Sequence, residues 1–272
     1  MRTFFQKYFS EITIAIAILL VYLPSFLWMW DRWFAKDSYY SHGILVPFIS
    51  GYLIWLKRKE LARIPRESSP WGMWFITSGI FVYVVSSVFR VYFSSLFSLL
   101  LVMAGVILCL YGSKILRAVL FPVLFLFFMM PLPLVTIVYI SFKMKLLAAQ
   151  IAQIVLQNMG FMAVREGSII RMPHASVIVE DVCSGLRSLI SLIALASVFA
   201  YWMKGKAAKK IFIALCAIPI AIATNVCRIV FLSFVSEVWG QQYAAGFIHD
   251  LSGFLVFALA FVMLYVLEKL IE

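Results

Sequence analysis

Charged residues are scarce in this chain of 272 residues, at 13% of the total, whereas hydrophobic residues make up 64%. A water-soluble domain has about a quarter of its residues charged, so this composition excludes one. The 4 cysteines are too few for a disulfide framework, and the dominant apolar segments exclude disorder and a nucleic-acid binder. Walker, Rossmann and Gly-x-Ser-x-Gly patterns are also absent, so nucleotide chemistry is not expected. What remains is an all-α polytopic membrane protein.

Apolar runs long enough to cross about 30 Å of hydrocarbon recur along the chain. They predict about eight transmembrane helices, at residues 12–30, 40–56, 71–89, 93–112, 115–130, 186–203, 211–235 and 251–268. A further run at 134–159 is interrupted by Lys143, Lys145 and several amides. If it crossed, the next span would start and end on the same side. We therefore expect a short extracytoplasmic amphipathic segment at the outer interface there.

The net charge of +11 is concentrated in loops between the predicted spans. One basic loop carries Lys57, Arg58, Lys59, Arg63 and Arg66, and another carries Lys204, Lys206, Lys209 and Lys210. The positive-inside rule places both loops, and with them both termini, in the cytoplasm. Residues 31–39, 90–92, 131–185 and 236–250 then face the opposite compartment.

A small extracytoplasmic β-hairpin is predicted from two β-prone stretches, 164–171 and 173–180, with a proline-containing turn between them. The second stretch leads into Cys183, at the membrane surface, where an apolar helix begins. A helix N-terminus favours a thiolate, and Arg187, four residues on, adds to that effect. Cys183 is thus a candidate nucleophile. The alternative is a buried structural cysteine, which is how Cys109, Cys216 and Cys227 are interpreted.

Two further candidates fall at the same predicted membrane surface. Arg228 lies within an apolar span, where an arginine is costly unless it meets a polar partner, and Thr224 and Asn225 share its helix face. The alternative for Arg228 is snorkelling to the headgroups. His249 starts the last helix, and histidine is suited to proton transfer near neutrality. Thiol, cation and base together are the parts of covalent acyl transfer.

Other polar residues on this side have supporting roles as hypotheses. Tyr39, Ser41 and His42 line the site or bind substrate, or else form an ordinary capped helix start. Glu180 orients His249 or attracts Arg228, or is a solvated hairpin charge. Zinc bound by Cys183 and the histidines is a weak alternative because no CxxC or HxxxH spacing occurs, so neither a metal nor a cofactor is expected.

At these residues the sequence resembles the exosortase/archaeosortase family, membrane cysteine enzymes proposed to be transpeptidases analogous to sortases. The segments that carry the resemblance are DSYYSHG at 37–43, PLP at 131–133, EG at 166–167, CSGLRS at 183–188, NVCR at 225–228 and HDLSG at 249–253. The family pattern implies Cys183 as the nucleophile, followed by Ser184 and Arg187 in its motif, Arg228 as the arginine and His249 in the third position. Histidine at this third position is typical of bacterial exosortases.

The resemblance implies one integral membrane domain over residues 1–272 in the bacterial cytoplasmic membrane, with the active site facing the periplasm or exterior. Its partner would be a secreted protein whose C-terminal signal combines a motif such as Pro-Glu-Pro, a transmembrane helix and a basic cluster. That signal would be cleaved through a thioester, and the acceptor would be an amine, a hydroxyl on a membrane lipid or a glycan, or water. The competing interpretations are a carrier or channel, with Arg228 and His249 in a polar pathway, and a non-catalytic scaffold for envelope assembly.

Overall fold

The computed structural model describes residues 2–36, 38–179, 185–244 and 246–271. The chain divides into two compact units, Met1–Pro131 and Leu132–Glu272. Among the described residues, five helices are long and apolar enough to cross a membrane, or six if a bent helix pair counts as one span. A multi-pass helical protein is therefore confirmed, but the predicted count of eight spans is not. The prediction of a single domain over residues 1–272 stays a prediction.

The described part of the first unit is entirely helical apart from its loops. Its helices are α1 (Arg2–Val21), α2 (Leu23–Phe34), α3 (Leu45–Leu56), α4 (Arg58–Leu61), α5 (Trp71–Val88), α6 (Tyr92–Leu110) and α7 (Ser113–Phe125). Two 3-10 helices, Ser41–Ile44 and Leu126–Met129, precede α3 and follow α7.

The described part of the second unit combines helices with a small sheet. Its elements are α8 (Leu134–Asn158), β1 (Val164–Glu166), β2 (Ile169–Arg171), β3 (Ser176–Ile178), α9 (Leu186–Trp202), α10 (Ala207–Trp239), α11 (Gln241–Ala244) and α12 (Phe247–Ile271). Helix α8 is one of the five helices able to cross a membrane, so its length does not distinguish crossing from the predicted interfacial position. That position stays a prediction.

Helix length explains why the predicted spans and the observed helices differ. The apolar run at 40–56 opens with a 3-10 helix, which leaves 12 residues for α3, an extent of about 18 Å. Helix α7 has 13 residues and contains Pro122, and α9 has 17 residues. Each is shorter than the roughly 20 residues that a spanning helix needs. Apolar composition predicted these runs correctly, but not where the hydrogen-bonded helix begins or ends.

The first predicted span is a helix pair bent by 64° between Val21 and Leu23. Pro24 in the first turn of α2 has no N–H to continue the hydrogen-bond ladder, which accounts for the break. Hydroxyl pairs connect the bend to α6: Tyr22 Oη lies 2.7 Å from Ser98 Oγ, and Ser25 Oγ lies 2.6 Å from Ser95 Oγ. Buried hydroxyls need such partners in an apolar surrounding.

Glycines allow α5 and α6 to pack backbone against backbone. A Cβ atom added at Gly105 would lie 2.7 Å from Ile76 Cγ1 and 2.8 Å from the Gly72 carbonyl oxygen. One added at Gly79 would lie 2.7 Å from Val102 Cγ2. Helices in a membrane associate through such small residues because lipid supplies no hydrophobic force between them.

The predicted hairpin is a three-stranded antiparallel sheet in the order β1-β2-β3. The expectation of two strands was wrong because the stretch 164–171 folds on itself. Gly167 has a φ of 65°, a conformation that glycine adopts at little cost, and it reverses the chain between β1 and β2. The turn containing Pro173 then connects β2 to β3, as expected.

Helix α10 is the central element of the second unit. Its 33 residues extend about 50 Å, longer than the hydrocarbon core. One apolar cluster packs Val226 and Ile229 of α10 with alanines of α8 and Ile170 of the sheet. A second cluster packs α10 against α9 and α12 through Leu192, Ala196, Ala217, Ala221, Ala260 and Leu264. The position of the sheet and of helices α9 and α12 is thus determined by their packing against α10.

Candidate functional site

Arg228 and His249 meet between α10 and α12, and both are half-buried. The Nη2 atom of Arg228 lies 3.2 Å from Nε2 of His249 and donates to the His249 carbonyl oxygen at 3.2 Å. Its Nε donates to Ser252 Oγ at 3.1 Å. The structure thus brings these two predicted residues together, and it gives the arginine the polar partner that a position within an apolar helix requires.

The direction of the arginine–histidine contact follows from the chemistry of the two groups. A guanidinium has donors and no acceptor, so Nε2 of His249 is the acceptor in this contact. Arg228 therefore covers the ring nitrogen that would receive a proton in base catalysis.

Ser252 and Gly253 complete the surroundings of Arg228 and were not predicted as site residues. Ser252 is 3% exposed and donates to the His249 carbonyl oxygen at 2.7 Å while accepting from Arg228. A Cβ atom at Gly253 would lie 3.4 Å from Nη2 of Arg228, so the guanidinium passes across the glycine. The available signal was spacing, because Ser252 follows His249 by three residues and falls on the same helix face.

The start of α9 packs beside the same stretch of α10. Gly185, the N-cap of α9, has a φ of 80°, and a Cβ atom there would lie 2.8 Å from Cγ of Asn225. Asn225 is 2% exposed and precedes Arg228 by three residues, which is just under one helical turn. The chain therefore enters α9 close to Arg228. Cys183, Glu180 and Ser184 lie outside the described residues, but Gly185 follows Cys183 by only two positions.

Two neighbours of the site differ from expectation or add to it. Thr224 does not hold Arg228, because its Oγ1 donates to carbonyl oxygens of its own helix, those of Ile220 at 2.9 Å and Ala221 at 3.2 Å. Arg187 lies in the first turn of α9, and its Nε is buried without a hydrogen-bond partner among the described residues. Its predicted influence on Cys183 stays a prediction.

A cleft of about 500 Å³ opens beside His249. Its lining includes the residues of strand β3 and Ile229, Leu232 and Ser236 of α10. Two hydrogen bonds connect the sheet to the end of α10 and to α11: the N–H of His174 donates to the Glu237 carboxylate, and Gln241 Nε2 donates to the Ser176 carbonyl oxygen. The cleft has a size typical of a ligand site.

The remaining predicted residues belong to the first unit. Tyr39 and His42 are half-buried, Ser41 is exposed, and the His42 ring stacks on Tyr40 with centroids 5.9 Å apart. A Cβ atom at Gly43 would overlap the Trp33 ring, and Trp33 Nε1 donates to the Met129 carbonyl oxygen at 2.9 Å. The segment is thus tightly packed within its own unit, and its predicted role at the site stays a prediction.

Over the described ranges, no group of three His, Cys, Asp or Glu side chains is arranged to hold a metal ion.

Comparison with known proteins identifies the family of the chain. The family model described as transmembrane exosortase (Exosortase_EpsH) matches residues 30–266, which is well over half of the chain. Neither the curated proteins nor the solved structures contain a match. The matched region includes Arg228, His249 and the strand that leads toward Cys183. The chain belongs to the transmembrane exosortase family.

Proposed function

We propose that this chain is a membrane-embedded cysteine transpeptidase or protease that acts on C-terminal sorting signals of secreted proteins. The observation that carries the proposal is the contact between Arg228 and His249, 3.2 Å from Nη2 to Nε2. A cation and a proton-transfer group are thereby paired close to the segment that continues into Cys183. These are the groups that covalent acyl transfer requires, and the membership of the exosortase family supports the same chemistry.

The substrate in this proposal is a secreted protein that ends in a short motif of the Pro-Glu-Pro type, a transmembrane helix and a basic cluster. The substrate's helix holds the scissile bond at the membrane surface, where it meets a membrane-embedded enzyme. We place the site at the outer face of the bacterial cytoplasmic membrane because the positive-inside rule assigns the basic loops to the cytoplasm. The acceptor is an amine, a lipid or glycan hydroxyl, or water.

In the first step, the sulfur of Cys183 bonds to the substrate carbonyl carbon, and the thiol proton passes to Nε2 of His249. The carbonyl oxygen becomes an oxyanion, which the guanidinium of Arg228 stabilises. Since that guanidinium covers Nε2 beforehand, it has to turn from the ring toward the oxyanion as the nitrogen takes up the proton. The two events are therefore coupled in this mechanism.

In the second step, the carbon–nitrogen bond breaks, and His249 returns its proton to the leaving amine, which leaves a thioester on Cys183. The acceptor then attacks the thioester carbonyl and gives its own proton to His249. The carbon–sulfur bond breaks, and the Cys183 sulfur takes the proton back. In both steps Ser252 holds Arg228 against the start of α12, because it bonds both the Arg228 Nε and the His249 carbonyl oxygen.

The test is to trap the thioester. Replacement of His249 by alanine removes acid–base help, which contributes roughly 10²–10⁴-fold, and slows both steps. We expect His249→Ala, co-expressed with a secreted reporter carrying the tripartite signal, to accumulate an enzyme–reporter adduct that hydroxylamine cleaves. The adduct should vanish when Cys183→Ala is added.

The matched control is Cys227→Ala, which removes an exposed cysteine next to Arg228. Cys183→Ala should abolish reporter cleavage, whereas Cys227→Ala should cleave at the normal rate. A carrier or scaffold would tolerate both changes equally. Cleavage by Cys183→Ala, or an adduct that persists without Cys183, would contradict the proposed function.

A further inference from the structure

One edge of strand β3 pairs with no other strand among the described residues, and residues of β3 line the cleft beside His249. We propose that the substrate peptide binds there in an extended conformation, adding a fourth strand to the sheet along the outer edge of β3. The inference rests on the proposed function, and it names how the substrate backbone is recognised. Its basis is the direction of the backbone groups of β3, the lining of the cleft and the course of the chain beyond the strand.

The pairing of the sheet determines which backbone groups are free. The Val179 N–H donates to the Ser168 carbonyl oxygen at 2.9 Å, and the Met172 N–H donates to the Ala175 carbonyl oxygen at 2.8 Å. In an antiparallel pair, hydrogen-bonded positions alternate with non-bonded ones. Val177 therefore faces β2, while the backbone N–H and carbonyl groups of Ser176 and Ile178 point to the outer edge.

An internal hydrogen bond confirms that direction. The side-chain amide of Gln241 donates to the Ser176 carbonyl oxygen from the outer side of β3. An amide N–H at this place is what a neighbouring strand would supply. The edge of β3 thus already accepts such a bond at one end, from a side chain of α11. The order β1-β2-β3 places no further strand there among the described residues.

The cleft has the shape and lining that an extended peptide needs. The cleft is lined by Ser176, Val177, Ile178 and Val179, together with Ile229, Leu232 and Ser236 of α10. The three residues of β3 offer an edge about 10 Å long. Peptides that add to a sheet edge gain affinity from main-chain hydrogen bonds and specificity from pockets for alternate side chains.

The position of the edge relative to the reactive groups gives it a function. His249 lines the same cleft, and α10 carries both other lining residues and Arg228. A peptide held along β3 would therefore have its backbone carbonyls in the cleft that His249 lines. In sequence, Cys183 follows Ile178 by five residues. Sequence motifs alone do not indicate such an arrangement, because β3 consists of ordinary strand residues.

The sheet supplies a matched pair of positions for a cross-linking test. Ile178 on β3 is 58% exposed, and Val164 on β1, at the opposite edge of the sheet, is 57% exposed. We would place benzoylphenylalanine at either position in the full chain. The probe is the secreted reporter ending in a Pro-Glu-Pro motif, one transmembrane helix and a basic cluster. Ultraviolet light should cross-link the reporter from position 178 several times more efficiently than from position 164.

A second test removes one backbone donor from each edge. Ile178→Pro deletes the outward N–H of β3, and Arg165→Pro deletes that of β1, since Arg165 alternates with the bonded position Val164. Ile178→Pro should lower the cleavage rate most strongly at low reporter concentration, as expected when substrate binding is weakened. Arg165→Pro should cleave the reporter at the normal rate. If Ile178→Pro does not accumulate in the membrane, the cross-linking comparison decides.

The outcomes separate this inference from the proposed function. Equal cross-linking from positions 164 and 178, or equal cleavage by the two proline variants, overturns binding at β3 even though the wild-type chain cleaves the reporter. Cross-linking from position 178 with no cleavage by the wild-type chain supports the binding edge but contradicts the proposed function. If this reporter is neither cross-linked nor cleaved, the result contradicts both the binding edge and the proposed function.

Discussion

The sharpest test of the site is Arg228→Lys, because it preserves the charge and changes only the geometry. The guanidinium bonds Ser252 Oγ through Nε and two atoms of His249 through Nη2. Lysine has a single nitrogen and no rigid fork, so it cannot keep both sets of contacts. The variant should therefore lose at least one charge-assisted hydrogen bond close to the proposed reacting centre.

The size of the effect follows from that loss. A hydrogen bond to a charged group contributes about 1.5–3 kcal/mol, and each 1.4 kcal/mol in a barrier is about tenfold in rate. We expect reporter cleavage by Arg228→Lys to fall by about tenfold to a hundredfold. The assay is pulse-labelling of the reporter, with the rate divided by the amount of enzyme in isolated membranes.

Arg171→Lys provides the matched control. Arg171 pairs with Glu166 on the sheet at 2.8 Å, and both side chains are more than half exposed. Exposed ion pairs contribute little, so the control should cleave at the wild-type rate. Wild-type cleavage by Arg228→Lys would refute the reasoning and reduce Arg228 to a residue that snorkels to the headgroups.

Two further predictions concern orientation and packing. In a variant whose other cysteines are replaced by alanine, a membrane-impermeant maleimide should label Cys183 from outside intact spheroplasts; labelling only from the cytoplasmic side would reverse the topology. Gly105→Ala should destabilise the α5–α6 pair by about 1–3 kcal/mol, since its Cβ would lie 2.7 Å from Ile76 Cγ1. Thermal unfolding in detergent should show a lower midpoint than for Gly51→Ala, where a Cβ meets nothing within 4 Å, and equal midpoints would contradict the close packing.

The sequence placed Arg228 and His249 at the same predicted membrane surface, but it did not pair them. Because a buried arginine needs a polar partner, Thr224 and Asn225 on its own helix face were the expected partners. The structure instead brings Nη2 of Arg228 to 3.2 Å from Nε2 of His249 on the next long helix. Ser252 and Gly253 were missed because their contribution depends on the rotation of α12 against α10, which is set by packing of alanines such as Ala260.

Helix ends and strand number were harder to predict for a different physical reason. The apolar run at 40–56 is hydrophobic enough to predict a span, yet residues Ser41–Ile44 form a 3-10 helix. Its i→i+3 hydrogen bonds close tighter turns than those of an α-helix. Hydropathy is insensitive to such backbone choices. Likewise, the stretch 164–171 has continuous β propensity, and only the conformation of Gly167 divides it into two strands.

The partners of Arg228 have a consequence for the order in which the protein can mature. Among the described residues, its hydrogen bonds go to Ser252 and His249 of α12, so they form only after the ribosome has synthesised that helix. Until then, α10 carries a cation within an apolar helix with none of these bonds. A nascent or truncated chain that lacks α12 therefore keeps this cation in an apolar helix without those partners, and the contacts of Arg228 form only when α12 packs against α10.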